Sequence, residues 1–558
     1  MAADLTDTIR IAVAQLDSVV GDIDGNLEAA RRARASAAAD GAHLVVFSEL
    51  FIAGYPPEDL VLKPAFLDAC RSAIDALAKD TADGGPGVVI GTPWRQDEQV
   101  VNAAVLVDNG AVQAVRAKVE LPNYGVFDEL RVFAPGPLPG PVGFRGLRLG
   151  LPVCEDIWFE QVCECLMETG AELLLVPNGS PYWQGKAELR QQVAIARVVE
   201  TGLPLVYVNQ SGGQDELVFD GGSFGLHSDR TLAFQLPQFA ASVRTTTWTR
   251  HAELGWRCSD GAFADLPDLD TANWSACVLG LRDYVDKTGF PGIVLGLSGG
   301  IDSAVCAVMA VDALGPERVH CVMLPYRYTS NESLNDAAAL AETLGVRYDI
   351  VPIAAPVEGF EAALKPMFGD RAPDITEENL QSRARGTILM AISNKFGSMV
   401  LTTGNKSENS VGYATLYGDM NGGFNPIKDL YKTDVYKLAR WRNAHQPAGG
   451  LGPDGIVIPP NIITRAPSAE LRPDQTDQDS LPPYDVLDDI LECLVEEDMR
   501  IAEVAARGHP RETVERVERL LYIAEYKRRQ AAPGVKITRK NFGRDRRYPI
   551  VNKFRDRG

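Results

Sequence analysis

No run in this 558-residue chain reaches the roughly 18 to 20 consecutive apolar residues that a membrane-spanning helix needs, so no membrane partner is expected. The opening MAADLTDTIR lacks the basic start and apolar core of a secretory signal and carries acids instead, which predicts a cytoplasmic protein. Positive charge is short as well. The 55 Lys and Arg against 75 Asp and Glu leave a formal net charge of -20, which excludes broad electrostatic attraction to nucleic acid. A local cluster in the tail (Lys536, Arg539, Lys540, Arg544, Arg546, Arg547) still suits phosphate groups. The nine cysteines are odd in number and irregular in spacing, unlike a disulfide framework. Cys163 and Cys165 flank one residue, not the two to four of common zinc pairs, and no His pair follows, which argues against structural zinc. The six histidines fall in no partner motif, so a Cys-His nucleophile is not expected either.

What is present is ordinary globular composition over a length that predicts two or more domains. Through about residue 265, short apolar runs alternate with Ala-rich amphipathic stretches: IRIAVAQL, then NLEAARRARASAAADGA, then LVVFSEL. This rhythm predicts a layered α/β domain, with further strands at 88–91, 103–108, 147–154, 173–177 and 205–209. The turn-rich, acidic CSDGAFADLPDLDTANW then marks a boundary, giving domains 1–265 and 266–558. Beyond it a helix is expected over 274–288 and a strand over 292–297. Repeated strand-helix units follow, which predicts a doubly wound parallel sheet with ligands beyond the C-terminal strand ends. The Pro-, Gly- and Asp-rich stretch 449–479 reads as a loop or lid.

Three reactive side chains stand at the ends of apolar runs in the first domain: Glu49, Lys118 and Cys154. A cysteine there can attack an amide carbonyl if a cation holds it as thiolate and a base takes its proton. In LPVCEDIWFE, two carboxyls and an aromatic follow the cysteine, which suits a strand-to-helix elbow exposing a thiol. FSELFIAGYPPEDL, KVELPNYGVFDE and LPVCEDIW resemble the three motifs of the nitrilase superfamily. That resemblance implies an αββα sandwich with Glu49 as proton acceptor, Lys118 as oxyanion stabiliser and Cys154 as a nucleophile forming a thioester. Ser48 departs from the Pro that commonly precedes the glutamate. Glu129 resembles a second glutamate the superfamily often keeps near the lysine; alternatively it is a surface acid beside Arg131. NGSPYWQGK and LPNYG resemble the glutamine pocket of the glutaminase branch, implying contacts from Ser180, Lys186 and Tyr124.

In the second domain, IVLGLSGGIDSAVCAVMA runs an apolar strand into Ser-Gly-Gly, with a helix expected to start near Asp302 or Ser303. Backbone N–H groups and the helix dipole converge there on a phosphate-sized spot. The Gly-Lys-Ser/Thr ending of a Walker A loop is missing. SGGIDS instead resembles the pyrophosphate loop of ATP pyrophosphatases, implying ATP contacts from Gly296, Leu297, Ser298, Gly299, Gly300, Ile301, Asp302 and Ser303. It also implies Mg²⁺ on Asp302. LTTGNKSENSVGYATLYGDMNGGFNPIKDLYKTDVYKLAR is similar to the NAD synthetases. By that likeness Thr403 and Lys432 contact ATP, with Thr433 near the phosphates and Asp419 a further acid in reach, while Glu408 lies by the metal and the dinucleotide. Asn379, Arg383, Arg385 and Lys540 are then contacts to deamido-NAD. Tyr326, in LPYRYTSNES, departs from the usual small residue.

The two resemblances together span almost the whole chain and are similar to the glutamine-dependent NAD synthetase family. They imply ATP- and Mg²⁺-dependent amidation of deamido-NAD with ammonia drawn from glutamine through an internal tunnel, and a homo-oligomer built on a synthetase-domain dimer. Two rivals differ in observable ways. An amide hydrolase with a nucleotide-binding regulatory domain makes no AMP, and a nucleotide sensor without turnover need not retain Glu49, Lys118, Cys154 and Asp302. GMP synthetase relies on a Cys-His-Glu triad for which the sequence has no match.

Overall fold

The computed structural model describes residues 7–473 and 475–556. The chain divides into two compact units between Pro267 and Asp268. In the first unit a seven-stranded sheet runs in the order Gly255–Cys258, Ser242–His251, Thr8–Gln15, Leu44–Phe47, Gly87–Gln96, Gln99–Asp108, Ala111–Ala117. A six-stranded sheet runs Leu232–Gln235, Phe224–Leu226, Leu205–Asn209, Leu173–Asn178, Leu147–Gly150, Val142–Phe144. The period of two along a strand sorts the side chains. Ile9, Ile11 and Val13 enter the core between the sheets with Leu149, Leu175 and Val208, while Ala12 and Ala14 enter the core under the outer helices. Small residues there suit close packing of the helices Ile23–Ala39 and Pro64–Asp80, which bring Ala30, Ala33 and Ala73 to the same core. On the outer face of the second sheet, helices Glu160–Glu168 and Lys186–Thr201 cover Leu174, Val176 and Tyr207. This is the expected αββα sandwich.

The second unit holds a four-stranded sheet, Arg347–Ile350, Val319–Met323, Ile293–Gly296, Met399–Val400, with every pair parallel. Strand order reverses beside Ile293–Gly296, so a crevice opens at that strand's C-terminal end, where doubly wound folds bind ligands. The helix Ile301–Leu314 leaves this point almost wholly buried. It is anchored by Asp312, whose carboxylate takes Arg442 Nε at 2.8 Å and Nη2 at 3.0 Å and Trp274 Nε1 at 3.0 Å, with both members of the ion pair fully buried. Removing one partner strands a buried charge at a cost of ~3–5 kcal/mol. Arg442→Leu is therefore expected to lower the melting temperature of the second unit sharply, as read by calorimetry.

Several element bounds differ from the sequence expectation. The run 147–154 ends as a strand at Gly150, because Pro152 cannot donate to a ladder. The helix expected over 274–288 begins at Leu269 behind an Asp268 cap, and the helix expected near Asp302 begins at Ile301. Within 449–479 lie a short helix, Pro460–Thr464, and one helical turn, Asp477–Asp479.

Candidate active sites

In the first unit, Glu49 follows the strand Leu44–Phe47, Lys118 follows Ala111–Ala117, and Cys154 comes after Leu147–Gly150. Gly91 makes room for the first of these: a β-carbon on it would sit 2.1 Å from Leu50 N, so only glycine lets the Glu49–Leu50 backbone lie on that strand. Cys154 takes φ +46°, a left-handed conformation that non-glycine residues rarely adopt, and opens a single helical turn, Cys154–Ile157. The expected turn is present, but it holds the Cys154 thiol buried instead of exposing it.

Lys118 Nζ lies 2.7 Å from Glu49 Oε1 and 2.9 Å from each oxygen of Glu129, in a wholly buried cluster. Glu129 is thus no surface acid, since Arg131 turns instead to Glu58, Asp59 and Asp128. Burial pushes the Glu129 carboxyl up to about 7, against the pull of Lys118. Burial alone would lower Lys118, but Glu129 and Glu49 hold its ammonium well above the usual lysine range. Tyr55 donates to Glu129 Oε1 at 2.9 Å. Burial and then Glu49 raise the Cys154 thiol well above its ordinary value, and Lys118 and the Gly179 N–H oppose them. Burial thus favours the neutral thiol, so its proton must leave to a base as the sulfur attacks.

Asp156 was not foreseen as a site residue. Its Oδ1 accepts from Val119 N at 3.0 Å and Glu120 N at 2.8 Å, and its Oδ2 accepts from Val153 N at 2.8 Å. The loop after Lys118 is thereby clamped to the residue before Cys154. Each hydrogen bond to a charged group is worth about 1.5–3 kcal/mol. Asp156→Ala is expected to cost upwards of about 3 kcal/mol, visible as a fall in the first unit's melting temperature together with loss of amidase activity. Unchanged values of both would refute the clamp.

Among the residues expected at a glutamine pocket, Ser180 is buried: its N–H donates to Asn209 and its hydroxyl accepts from Arg190 Nε at 3.0 Å. Arg190, itself paired with Asp220, also donates to the Ser180 and Pro181 carbonyls. Lys186 Nζ sits 4.1 Å from the ring centre of Trp158 and 5.5 Å from that of Trp183. Tyr124 is half exposed, with its hydroxyl 2.9 Å from Glu155 Oε1. Ser48 is fully buried and its hydroxyl has no hydrogen-bond partner among the described residues.

The second unit carries a cavity of about 590 Å³ at the strand-helix crevice. Gly296, Leu297, Ser298, Gly300, Ile301, Asp302, Ser303, Thr403, Glu408 and Lys432 line it. Gly299 does not line it but turns the loop, with φ +80° and a missing β-carbon that would lie 2.4 Å from Ser333 O. Ser298 and Ser303 hydroxyls meet at 3.0 Å across the turn. Lys432 Nζ is bonded to Asp302 Oδ2 and lies 3.1 Å from Glu408 Oε1, and Asn405 Nδ2 donates to Asp302 Oδ1 at 2.9 Å. Burial raises Glu408 to about 8, in spite of Lys432.

Arg385 and Asp419 also line the cavity. Asn379, Arg383 and Lys540 do not: Asn379 accepts from Thr415, Arg383 donates to Leu416 O, and Lys540 pairs with Asp498. Tyr326 packs edge-on to Tyr328 with its ring in the core, and Tyr328 reaches the cavity in its place. Arg465 was missed; it lines the cavity and donates to Gly299 O at 2.9 Å from the segment read as a lid.

A family model described as NAD synthase matches residues 273–531, and one described as carbon-nitrogen hydrolase matches residues 10–254. The chain is 52% identical to the glutamine-dependent NAD(+) synthetase of Rhodobacter capsulatus, over 99% of this chain and 100% of that protein. It is 48% identical to that of Xanthomonas campestris pv. campestris, over 98% of each. The solved glutamine-dependent NAD(+) synthetase of Acinetobacter baumannii, in complex with adenosine diphosphate, superposes with a TM-score of 0.78 at 42% identity, covering 98% of this chain and 99% of that one.

Proposed function

This chain belongs to the glutamine-dependent NAD(+) synthetase family, and from that membership we propose how its residues divide the work. The reaction is the ATP-dependent amidation of deamido-NAD to NAD through an adenylated intermediate, the last step of NAD biosynthesis. Ammonia comes from glutamine, and AMP, pyrophosphate and glutamate are released. The observation that carries the assignment is the buried Glu49–Lys118 ion pair, joined to Cys154 through the Gly179 N–H that Glu49 Oε2 accepts.

Glu49 accepts the thiol proton as the sulfur adds to the glutamine amide carbonyl, and returns it to the departing ammonia. Water then opens the thioester, with Glu49 again taking the proton and the thiol restored. The hydrogens of Lys118 are committed to Glu49 and Glu129, so it favours the oxyanion through its charge. Tyr124, Ser180 and Lys186 bind glutamine, the Lys186 ammonium suiting the substrate carboxylate.

In the second unit, Gly296–Ser303 with Thr403 and Lys432 bind ATP. Asp302 and Glu408 would hold Mg²⁺; their hard carboxylate oxygens beside the phosphate loop fit that ion. When bound it neutralises charge on the phosphates. Glu408 also meets deamido-NAD, and Asn379, Arg383 and Lys540, which lie off the cavity wall, are assigned to the outlying half of that dinucleotide.

Mixing the protein with deamido-NAD, ATP, glutamine and Mg²⁺ is expected to give NAD and AMP in equal amounts by mass detection. Glutamate without AMP would favour the amide hydrolase instead. EDTA is expected to stop AMP release, and excess Mg²⁺ to restore it.

Among the described residues no helix is long and apolar enough to cross a membrane. Nine free thiols suit a reducing compartment, which supports a cytoplasmic location. Exposed apolar side chains on the second unit's helices Ala354–Phe368 and Ile375–Phe396, including Phe360, Met367, Ile375 and Phe396, support a homo-oligomer formed through the synthetase domain.

A further inference from the structure

Asn102 lies in the strand Gln99–Asp108 between Val101 and Ala103, and is fully buried. An amide in so apolar a strand destabilises the fold unless it is bonded. Its Nδ2 donates to Glu49 Oε1 at 2.8 Å and reaches Glu129 Oε2 at 3.4 Å, and its backbone carbonyl accepts from Lys118 N at 2.7 Å. One residue thus touches every charged member of the cluster. Among the described residues its Oδ1 has no partner, and turning the amide over would aim that oxygen at two carboxylates.

The two oxygens of Glu49 are consequently unlike. Oε1 takes both Lys118 Nζ and Asn102 Nδ2. Oε2 takes the Gly179 N–H at 2.9 Å, and that same N–H faces the Cys154 thiol. We propose that Asn102 is a positioning residue of the amidase: it ties Glu49 Oε1 in place, so that Oε2 is the oxygen that receives the thiol proton. The terminal torsion of a glutamate is broad, and Lys118 alone does not fix it, because Glu129 competes for the same ammonium. A neutral amide adds a second anchor without a proton to exchange. This inference rests on Glu49 being the proton acceptor. The other ionisable groups acting on Glu49 are Lys118, Glu129, Cys154, Tyr55 and Glu155.

The test uses the full chain, assayed with glutamine and with ammonium across the neutral pH range. Asn102→Leu is expected to lower kcat for glutamine roughly tenfold to a hundredfold with little change in KM, the loss of one hydrogen bond to a charged group. Asn102→Asp conserves size and gives a signature in pH: a third carboxylate suppresses turnover at high pH, and activity recovers as pH falls and its O–H replaces the amide donor. A wild-type kcat and pH profile in Asn102→Asp, or a loss that pH does not relieve, overturns the proposal even where Asn102→Leu fails to fold. Cys154→Ala is run beside them. If that variant still hydrolyses glutamine, the underlying assignment of the amidase falls; if it is inactive while both Asn102 variants behave as wild type, Asn102 alone loses its role.

Discussion

Cys154→Ala is expected to abolish NAD formation from glutamine while ammonium still supports it. The variant removes the atom that forms the thioester, and nothing else in the Glu49–Lys118–Glu129 cluster can replace it: the carboxylates are tied to Lys118, and Lys118 is a charged ammonium without a free electron pair. Loss of a nucleophile from a cooperating set costs at least about a thousandfold in turnover. Structure should survive, because alanine takes the same φ +46° and loses a sulfur from a core lined by aliphatic side chains. The ammonium-supported rate is the control, since the cavity assigned to the nucleotide is lined by residues of the second unit. The readout is NAD by mass detection with each nitrogen source in turn. Turnover with glutamine in this variant would remove Cys154 from the mechanism.

Much of this was legible beforehand because strand-helix rhythm is a local property. Apolar runs such as LVVF and IVLG become the strands Leu44–Phe47 and Ile293–Gly296, and the reactive residues follow their ends. What sequence alone leaves out depends on contacts between distant segments. The run at 147–154 reads as one strand until the ladder is seen to stop at Gly150. Glu129 reads equally as a surface acid or a cluster member; only the fold brings Lys118 to it and takes Arg131 elsewhere. The upward pull on the Cys154 thiol is likewise invisible in sequence, since burial is its main cause. Asn102 and Asp156 did leave a trace. An amide inside VVNAAVLVD and an acid two residues after the cysteine are polar groups in apolar company, and such groups are buried only when bonded. The cavity's Arg465 left none, because it arrives from a loop far along the chain.

Lys432→Met is expected to lose AMP release with ammonium as fully as with glutamine, the opposite pattern to Cys154→Ala. Lys432 is buried, and its ammonium is the counter-charge to both Asp302 and Glu408. Burial already raises Glu408 to about 8 with Lys432 in place, and removing that cation raises it further, so an ionised oxygen is offered only at still higher pH. Asp302, at the first turn of the Ile301–Leu314 helix, keeps Asn405 as a donor but loses its ion pair. ATP phosphates lose a cation beside the glycine turn, where a positive charge stabilises the oxygens on which charge develops. The three effects act on one step, so turnover should fall at least about a thousandfold, and raising ATP should not recover it. Lys432→Arg separates charge from shape: a planar guanidinium cannot reproduce a compact ammonium shared by two carboxylates, so it should restore a small part of the activity. The measurement is AMP and pyrophosphate formed from ATP and deamido-NAD at saturating ammonium. Full AMP release in Lys432→Met would show that the lysine serves only to pair two buried acids, and the ATP site would then need another cation, a part open to Arg465, which donates to Gly299 O and lines the cavity.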